Sequence, residues 1–135
     1  MVADKPIRTF KVCTVEDTNT VMSYYYDQEY RTGETYTLNR DIKPITVKYE
    51  RGSVCFYNIN KGFHSYSPDK VKMRHIRCGV IRVESTDSII LDYYDMKYKL
   101  VRVDCTVPKG TTYYENEDGE FVSHTITIDS ITPIN

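Results

Sequence analysis

Val101-Arg102-Val103-Asp104-Cys105-Thr106-Val107 is the stretch that decides the fold. Apolar residues at 101, 103, 105 and 107 alternate with polar ones at 102, 104 and 106. Period two is the signature of a strand with one face on a core. Pro108-Lys109-Gly110 ends the run, because proline lacks a backbone donor and glycine favours a turn. Phe121 to Asp129 repeats the pattern, with Val122, His124, Ile126 and Ile128 in phase. Between these runs, Tyr113-Tyr114 leads into an acidic turn, Glu115 to Glu120, whose Asp118-Gly119 is a hairpin signal.

The same reading extends outward. Arg8 to Val15 and Thr20 to Tyr26 form a hairpin about the turn residues Glu16 to Asn19. Asp27 to Glu34 is a polar loop, and Tyr36 to Leu38 a short strand. Ile45 to Glu50 pairs with Ser53 to Tyr57 across Arg51-Gly52, and Asn58 to Gly62 turns the chain. Cys78 to Glu84 and Ile89 to Tyr94 flank a turn at Thr86 to Ser88, and Ile131 to Asn135 reads as irregular. One helix is expected. Ser67 offers an N-cap, Pro68 the first helical position and Asp69 a first-turn carboxylate. Val71, Met73 and Ile76 give it a thin apolar stripe to about His75. The expectation is an α+β chain, predominantly β. It is a single domain over 1–135, built of antiparallel strands as a curved sheet, sandwich or partly open barrel, with one short helix near 68–75.

A chain of 135 residues can bury a core without staples. Its 18 basic and 19 acidic residues nearly cancel, so no nucleic-acid partner is expected. The basic window Lys70 to Arg77 reads as a solvated face. No apolar run is long enough to span a bilayer, and Met1 to Pro6 carries no apolar leader. No membrane partner and a host-cell cytoplasmic location are the expectations. Cys13, Cys55, Cys78 and Cys105 lack a C-x-x-C spacing, so they are expected as buried thiols rather than zinc ligands.

The one segment that departs from plain strand is Gly62-Phe63-His64-Ser65-Tyr66-Ser67. It reads as a strand-to-helix corner, with Ser67 a cap and His64 and Ser65 as site candidates. An imidazole titrates near neutrality and could act as a base if a proton donor lay within reach. Phe63 and Tyr66 read as packing groups or as the wall of a ligand site. Among 13 tyrosines, the runs Tyr24-Tyr25-Tyr26 and Tyr93-Tyr94 alternate across a strand, so some face solvent. Tyr25 and Tyr93 join Phe63, His64, Ser65 and Tyr66 as candidate ligand or partner contacts. No metal site and no resident cofactor are expected, and no dinucleotide, phosphate-loop or nucleophile-elbow motif occurs. The acidic turn reads as an exposed hairpin tip.

Lys61-Gly62-Phe63-His64-Ser65-Tyr66, upstream of Val107-Pro108-Lys109-Gly110-Thr111-Thr112-Tyr113-Tyr114, resembles small uncharacterised proteins of bacteriophages and prophages. That resemblance implies a viral origin. The order of Arg31, Ser65-Tyr66-Ser67 and Glu115-Asn116-Glu117 also resembles the arginine-specific class of ADP-ribosyltransferases. There the resemblance implies NAD as cofactor. Arg31 would hold its phosphates, Ser65 would support the nicotinamide ribose, and Glu117 would stabilise an oxocarbenium-like centre. Tyr66 stands where that class has threonine, and Arg31 lies in a loop-like stretch.

The leading functional expectation is a non-enzymatic, phage-encoded binding protein that sequesters a small ligand or inhibits a host protein, as in evasion of host defence. The alternatives are an NAD-using ADP-ribosyltransferase-like enzyme and a structural virion or assembly protein, the last of which implies a homo-oligomer.

Overall fold

The computed structural model describes residues 1–15, 20–23, 28–39, 41–42, 46–50, 54–58, 62–77, 79–86, 88–94 and 99–134. Its organising strand is β1 (Ile7–Val15). Thr9-Phe10-Lys11-Val12-Cys13 is buried at every residue. Successive strand side chains point to opposite faces, so both faces of β1 are covered. Thr9, Lys11 and Cys13 share one face, and Phe10 and Val12 share the other.

β1 pairs antiparallel along its whole length with β11 (Lys99–Val107), from Ile7 opposite Val107 to Val15 opposite Lys99. On its other side it meets β7 (Phe63–Tyr66) at Phe10 and Tyr66, then β2 (Val21–Ser23) at Cys13 to Val15. β2 carries β3 (Glu29–Tyr30). β7 carries β13 (Glu120–Ser123), which carries β12 (Tyr113–Glu115). β11 carries β14 (Thr125–Pro133), which carries β4 (Thr35–Thr37). These nine strands make one antiparallel sheet.

The sheet is strongly curled. The path β3-β2-β1-β11-β14-β4 crosses five interstrand steps, about 24 Å if flat. Yet Tyr30 on β3 and Tyr36 on β4 stack edge to face with ring centroids 5.3 Å apart. The backbone amide of Arg31 also donates to the Tyr36 hydroxyl at 2.8 Å. The two ends therefore return to each other through side chains, without a backbone ladder between β3 and β4, and the barrel stays open. The wrap encloses Cys13, Val21, Tyr30, Phe63, Val101, Val103, Cys105, Ile126 and Ile128.

The opposite face of β1 packs under a second sheet, β10-β9-β8. It is formed by β8 (Lys72–Arg77), β9 (Val80–Glu84) and β10 (Ile89–Tyr94). Phe10, Val12, Tyr66 and Leu100 meet Val71, Ile81, Val83, Ile90 and Tyr93 there. Fully burying an aliphatic or Phe side chain is worth about 1.5–3 kcal/mol, so this layer contact is a main source of stability. A separate two-stranded ladder joins β5 (Thr46–Glu50) and β6 (Val54–Asn58), as the sequence pattern anticipates.

The fold is thus antiparallel and β-rich, but the helix expected near 68–75 is corrected. Residues 68–70 form a turn, closed by the Val71 amide donating to the Ser67 carbonyl at 2.9 Å. From Lys72 the chain is strand. Val71 is buried and Met73 packs at the edge of the same apolar layer, a two-residue spacing that a strand satisfies and a helix does not. A register shift between His75 and Arg77 sets Ile76 outside that alternation. Two further boundaries differ. The run from Phe121 breaks at His124, between β13 and β14, and residues 131–133, expected to be irregular, continue β14 opposite Val101 to Val103. The polar stretch 27–34 contains the short β3.

Candidate functional site

Lys11 lies on the face of β1 that points into the curled sheet, flanked by Thr9 and Cys13, and is only 7% exposed. Its ammonium donates to the carbonyl of His64, a short contact across to β7. It sits over the Tyr30 ring, 5.5 Å from the centroid, a distance at which a cation is attracted to the ring face. Among the described residues, none of the ion pairs involves Lys11.

The electrostatics are unusual for so deep a lysine. Burial pushes the Lys11 pKa down, while the negative charge that Tyr30, Cys13 and Cys105 would carry on ionising pulls it up, and the net direction is upward. Burial in turn pushes the Cys13 thiol up to about 11 and raises both the Tyr30 phenol and the Cys105 thiol. All three neighbours are therefore neutral near pH 7. With those three neutral, the charge that would raise the Lys11 pKa is absent near pH 7 and the opposing effect of burial remains, so holding an ammonium here is costly.

Two hydroxyls share this setting. Thr9 Oγ1 and Ser65 Oγ are each buried to under 1 Å² and have no hydrogen-bond partner among the described residues. Thr9 is two residues from Lys11 on the same face, and Ser65 is on the neighbouring strand next to the carbonyl that Lys11 contacts. Lysine carries three donors and no acceptor. Two of those donors are met by the His64 carbonyl and the Tyr30 side chain. Each hydroxyl offers one donor and two acceptor lone pairs, so either could bond a donor or an acceptor.

The residues singled out from sequence fall in several places. Phe63 is buried inside the curled sheet. His64 is half-buried and contributes its carbonyl to Lys11. Tyr66 and Tyr93 are buried in the opposite core, their hydroxyls sharing a short hydrogen bond that ties β7 to β10. Tyr25 lies outside the described residues. Arg31 is exposed, its Nε 3.1 Å from Glu29 Oε1. Glu117 is exposed at the β12–β13 turn. Among the described residues, no hydrogen bond or ion pair links Arg31, Ser65 and Glu117 to one another.

The acidic turn is more engaged than an exposed tip would be. Glu115 Oε2 takes an ion pair from Lys70 at 3.0 Å. Asp118 Oδ1 accepts from Ser85 Oγ at 3.2 Å and Ser88 Oγ at 2.8 Å, so the β12–β13 turn is fastened to the β9–β10 loop. Glu120 accepts from Asn116 Nδ2 at 2.6 Å. Gly119 makes the turn with φ +88°, and its carbonyl receives the Ser67 amide at 2.7 Å. His75 is exposed and His124 half-buried. Among the described residues, no group of three or more His, Cys, Asp or Glu side chains could hold a metal ion, and no helix is long and apolar enough to cross a membrane.

Sequence reasoning passed over Thr9 and Lys11. The signal was present in Thr9-Phe10-Lys11-Val12-Cys13, but an apolar Phe10/Val12 face assigns Lys11 to solvent unless β1 is known to be covered on both sides. Compared with protein-family models, curated proteins and solved structures, the chain shows no significant match to any of them.

Proposed function

We propose that this chain is a non-enzymatic binding protein that sequesters a small ligand in the polar niche around Lys11. One observation carries the reading: among the described residues, a buried lysine has no ion-pair partner and lies on the same face of β1 as one of two buried hydroxyls that have no hydrogen-bond partner. Interiors satisfy their polar groups. Buried hydroxyls left open among the described residues are groups that a bound polar ligand would complete. The resemblance of Gly62 to Tyr66 and Val107 to Tyr114 to phage proteins supports a setting in an infected bacterial cell. There a sequestering protein removes a small molecule from host use.

The transferase reading draws no support from this geometry, because Ser65 is enclosed and Arg31 is turned to Glu29. A protein partner is the second binding reading. It rests on Ile76, Ile89 and Tyr94, large apolar residues exposed on the outer three-stranded sheet.

The test is to purify the protein in dilute, non-coordinating buffer, unfold it, and identify released small molecules by mass spectrometry. The expected result is a stoichiometric ligand whose re-addition raises the unfolding temperature. Protein that releases nothing, and that no small-molecule panel stabilises, would sink the reading.

A further inference from the structure

We infer that the free edge of β8 is a docking strand for an acidic, extended segment of a partner protein, which joins the outer sheet as a fourth strand. This goes beyond the small-ligand reading and does not depend on it.

β8 ends the sheet β10-β9-β8. It pairs with β9 on one side, and among the described residues no strand pairs with it on the other. Five of its six residues are exposed, whereas β10 at the opposite edge exposes only Ile89 and Tyr94. An edge strand presents a row of backbone N–H and C=O groups without ladder partners. Another extended backbone completes such a row with main-chain hydrogen bonds. Pairing with β9 is regular from Lys72 opposite Glu84 to His75 opposite Ile81, and shifts before Arg77. The edge open to a straight incoming strand is therefore Lys72 to His75.

Charge decides what that strand carries. In a chain of net charge −1, Lys70 to Arg77 holds four Lys or Arg side chains and no carboxylate. Lys70 is paired with Glu115 and Arg74 with Glu84. Lys72 reaches the Pro68 carbonyl at 3.2 Å and has no ion pair among the described residues. Arg77 has none there either, and Asp92 is bonded to Arg82 at 2.9 Å. Lys72 and Arg74 are two residues apart and so share a face of the strand. Met73, between them, packs at the edge of the apolar layer. A strand laid along this edge meets cation, hydrocarbon and cation in turn. Its complement reads acidic, apolar, acidic, because opposite charges across a ladder attract and like charges repel. Ile76, 37% exposed, adds apolar surface at the end of the contact.

The same pattern disfavours other occupants. Two copies of β8 set edge to edge would bring cations together. The β10 edge of a second copy offers one carboxylate, Asp92, which Arg82 already holds. A nucleic acid would answer the charges but cannot form the ladder.

The test is a titration of ¹⁵N-labelled protein with the peptide acetyl-Thr-Glu-Val-Glu-Val-Thr-amide, following the amide resonances of Lys72 to His75. The controls are the peptide with lysine in place of glutamate, a version N-methylated at every glutamate and valine, and a thymidine oligonucleotide. The expected result is saturable shifts with the glutamate peptide and none with the lysine peptide. N-methylation, which removes the ladder donors, is expected to weaken binding about tenfold or more. Lys72→Glu is expected to weaken it about threefold or more, and Lys72→Gln carries the test if that variant does not fold. Equal binding of the N-methylated peptide would overturn strand addition. Tighter binding of the oligonucleotide at the same amides would overturn the peptide assignment in favour of nucleic acid. A dimer of the free protein that Lys72→Glu disperses would give the edge to a second copy instead. No shifts at Lys72 to His75 with the glutamate peptide would overturn the inference outright.

Discussion

The two faces of β1 are both buried, and they are built on opposite principles. The Phe10/Val12 face meets the three-stranded sheet in an apolar layer. Its main polar pair, Tyr66 and Tyr93, bonds hydroxyl to hydroxyl across the layers. The Thr9/Lys11/Cys13 face looks into the curled sheet, where Lys11 is buried and, among the described residues, the hydroxyls of Thr9 and of Ser65 on β7 have no hydrogen-bond partner. One face is arranged for stability and the other sacrifices it. Net stability is the small remainder of large opposing contributions, so a cost on the second face is what the ligand-binding proposal would explain.

That comparison can be broken by substitution, starting with the largest effect. Phe10→Ala removes a ring that is 1% exposed, 5.4 Å from the Tyr66 ring and 4.3 Å beneath the Arg102 guanidinium. It is expected to cost about 3–5 kcal/mol in urea unfolding. A loss below about 1 kcal/mol would mean that the apolar face is not the stabilising one.

Lys11→Met, on the other face one residue away, is expected to act in the opposite direction. Met has a similar volume and carries no charge to desolvate, so the variant is expected to be at least as stable as the wild type.

Glu120 sharpens the contrast, as a half-buried carboxyl outside the niche that has a hydrogen-bond partner. Burial holds its carboxyl above the usual range, the Asn116 bond opposes that, and Asp118 adds to it. A carboxyl whose folded pKa is raised favours the fold while protonated, and that contribution is lost as pH rises through the folded value. Glu120→Gln should therefore match the wild type below the carboxylate range and exceed it at neutral pH. Parallel stability profiles from pH 3 to pH 7 would contradict this.

The smallest effect is expected at Ser65 and Thr9. Ser65→Ala and Thr9→Val remove hydroxyls that bond nothing among the described residues, so each should change stability by less than about 0.5 kcal/mol. A loss of about 1–2 kcal/mol from either would show that the hydroxyl already has a partner, and one open polar group of the niche would be removed from the account.

What the sequence made legible was local alternation. The period-two run 101–107 lies in β11, and its partner β1 was equally readable from Arg8 to Val15. The helix near 68–75 misled because Ser67-Pro68-Asp69 does form a helical-type turn. Propagation then fails because Val71 and Met73 are drawn into the apolar layer at strand spacing. The surroundings of the segment at 62–67 depend on what it pairs with. Phe63 and Ser65 point into the curl, while Tyr66 points into the layer beneath β10. A single strand cannot reveal which of its faces are covered. That information comes from the strand order, which places the consecutive strands β3 and β4 at opposite ends of one path and brings them together at Tyr30 and Tyr36, so that Lys11 faces the interior instead of solvent.

The account rests on Lys11 being held at a cost to the fold. Urea unfolding of wild type and Lys11→Met, side by side at neutral pH in a buffer without carboxylate or phosphate, measures that directly. The account predicts a higher midpoint for Lys11→Met with an unchanged denaturant slope. A lower midpoint, at the same slope, would mean that Tyr30 and the His64 carbonyl already satisfy the ammonium, and the niche would be a structural polar core rather than a site awaiting its ligand.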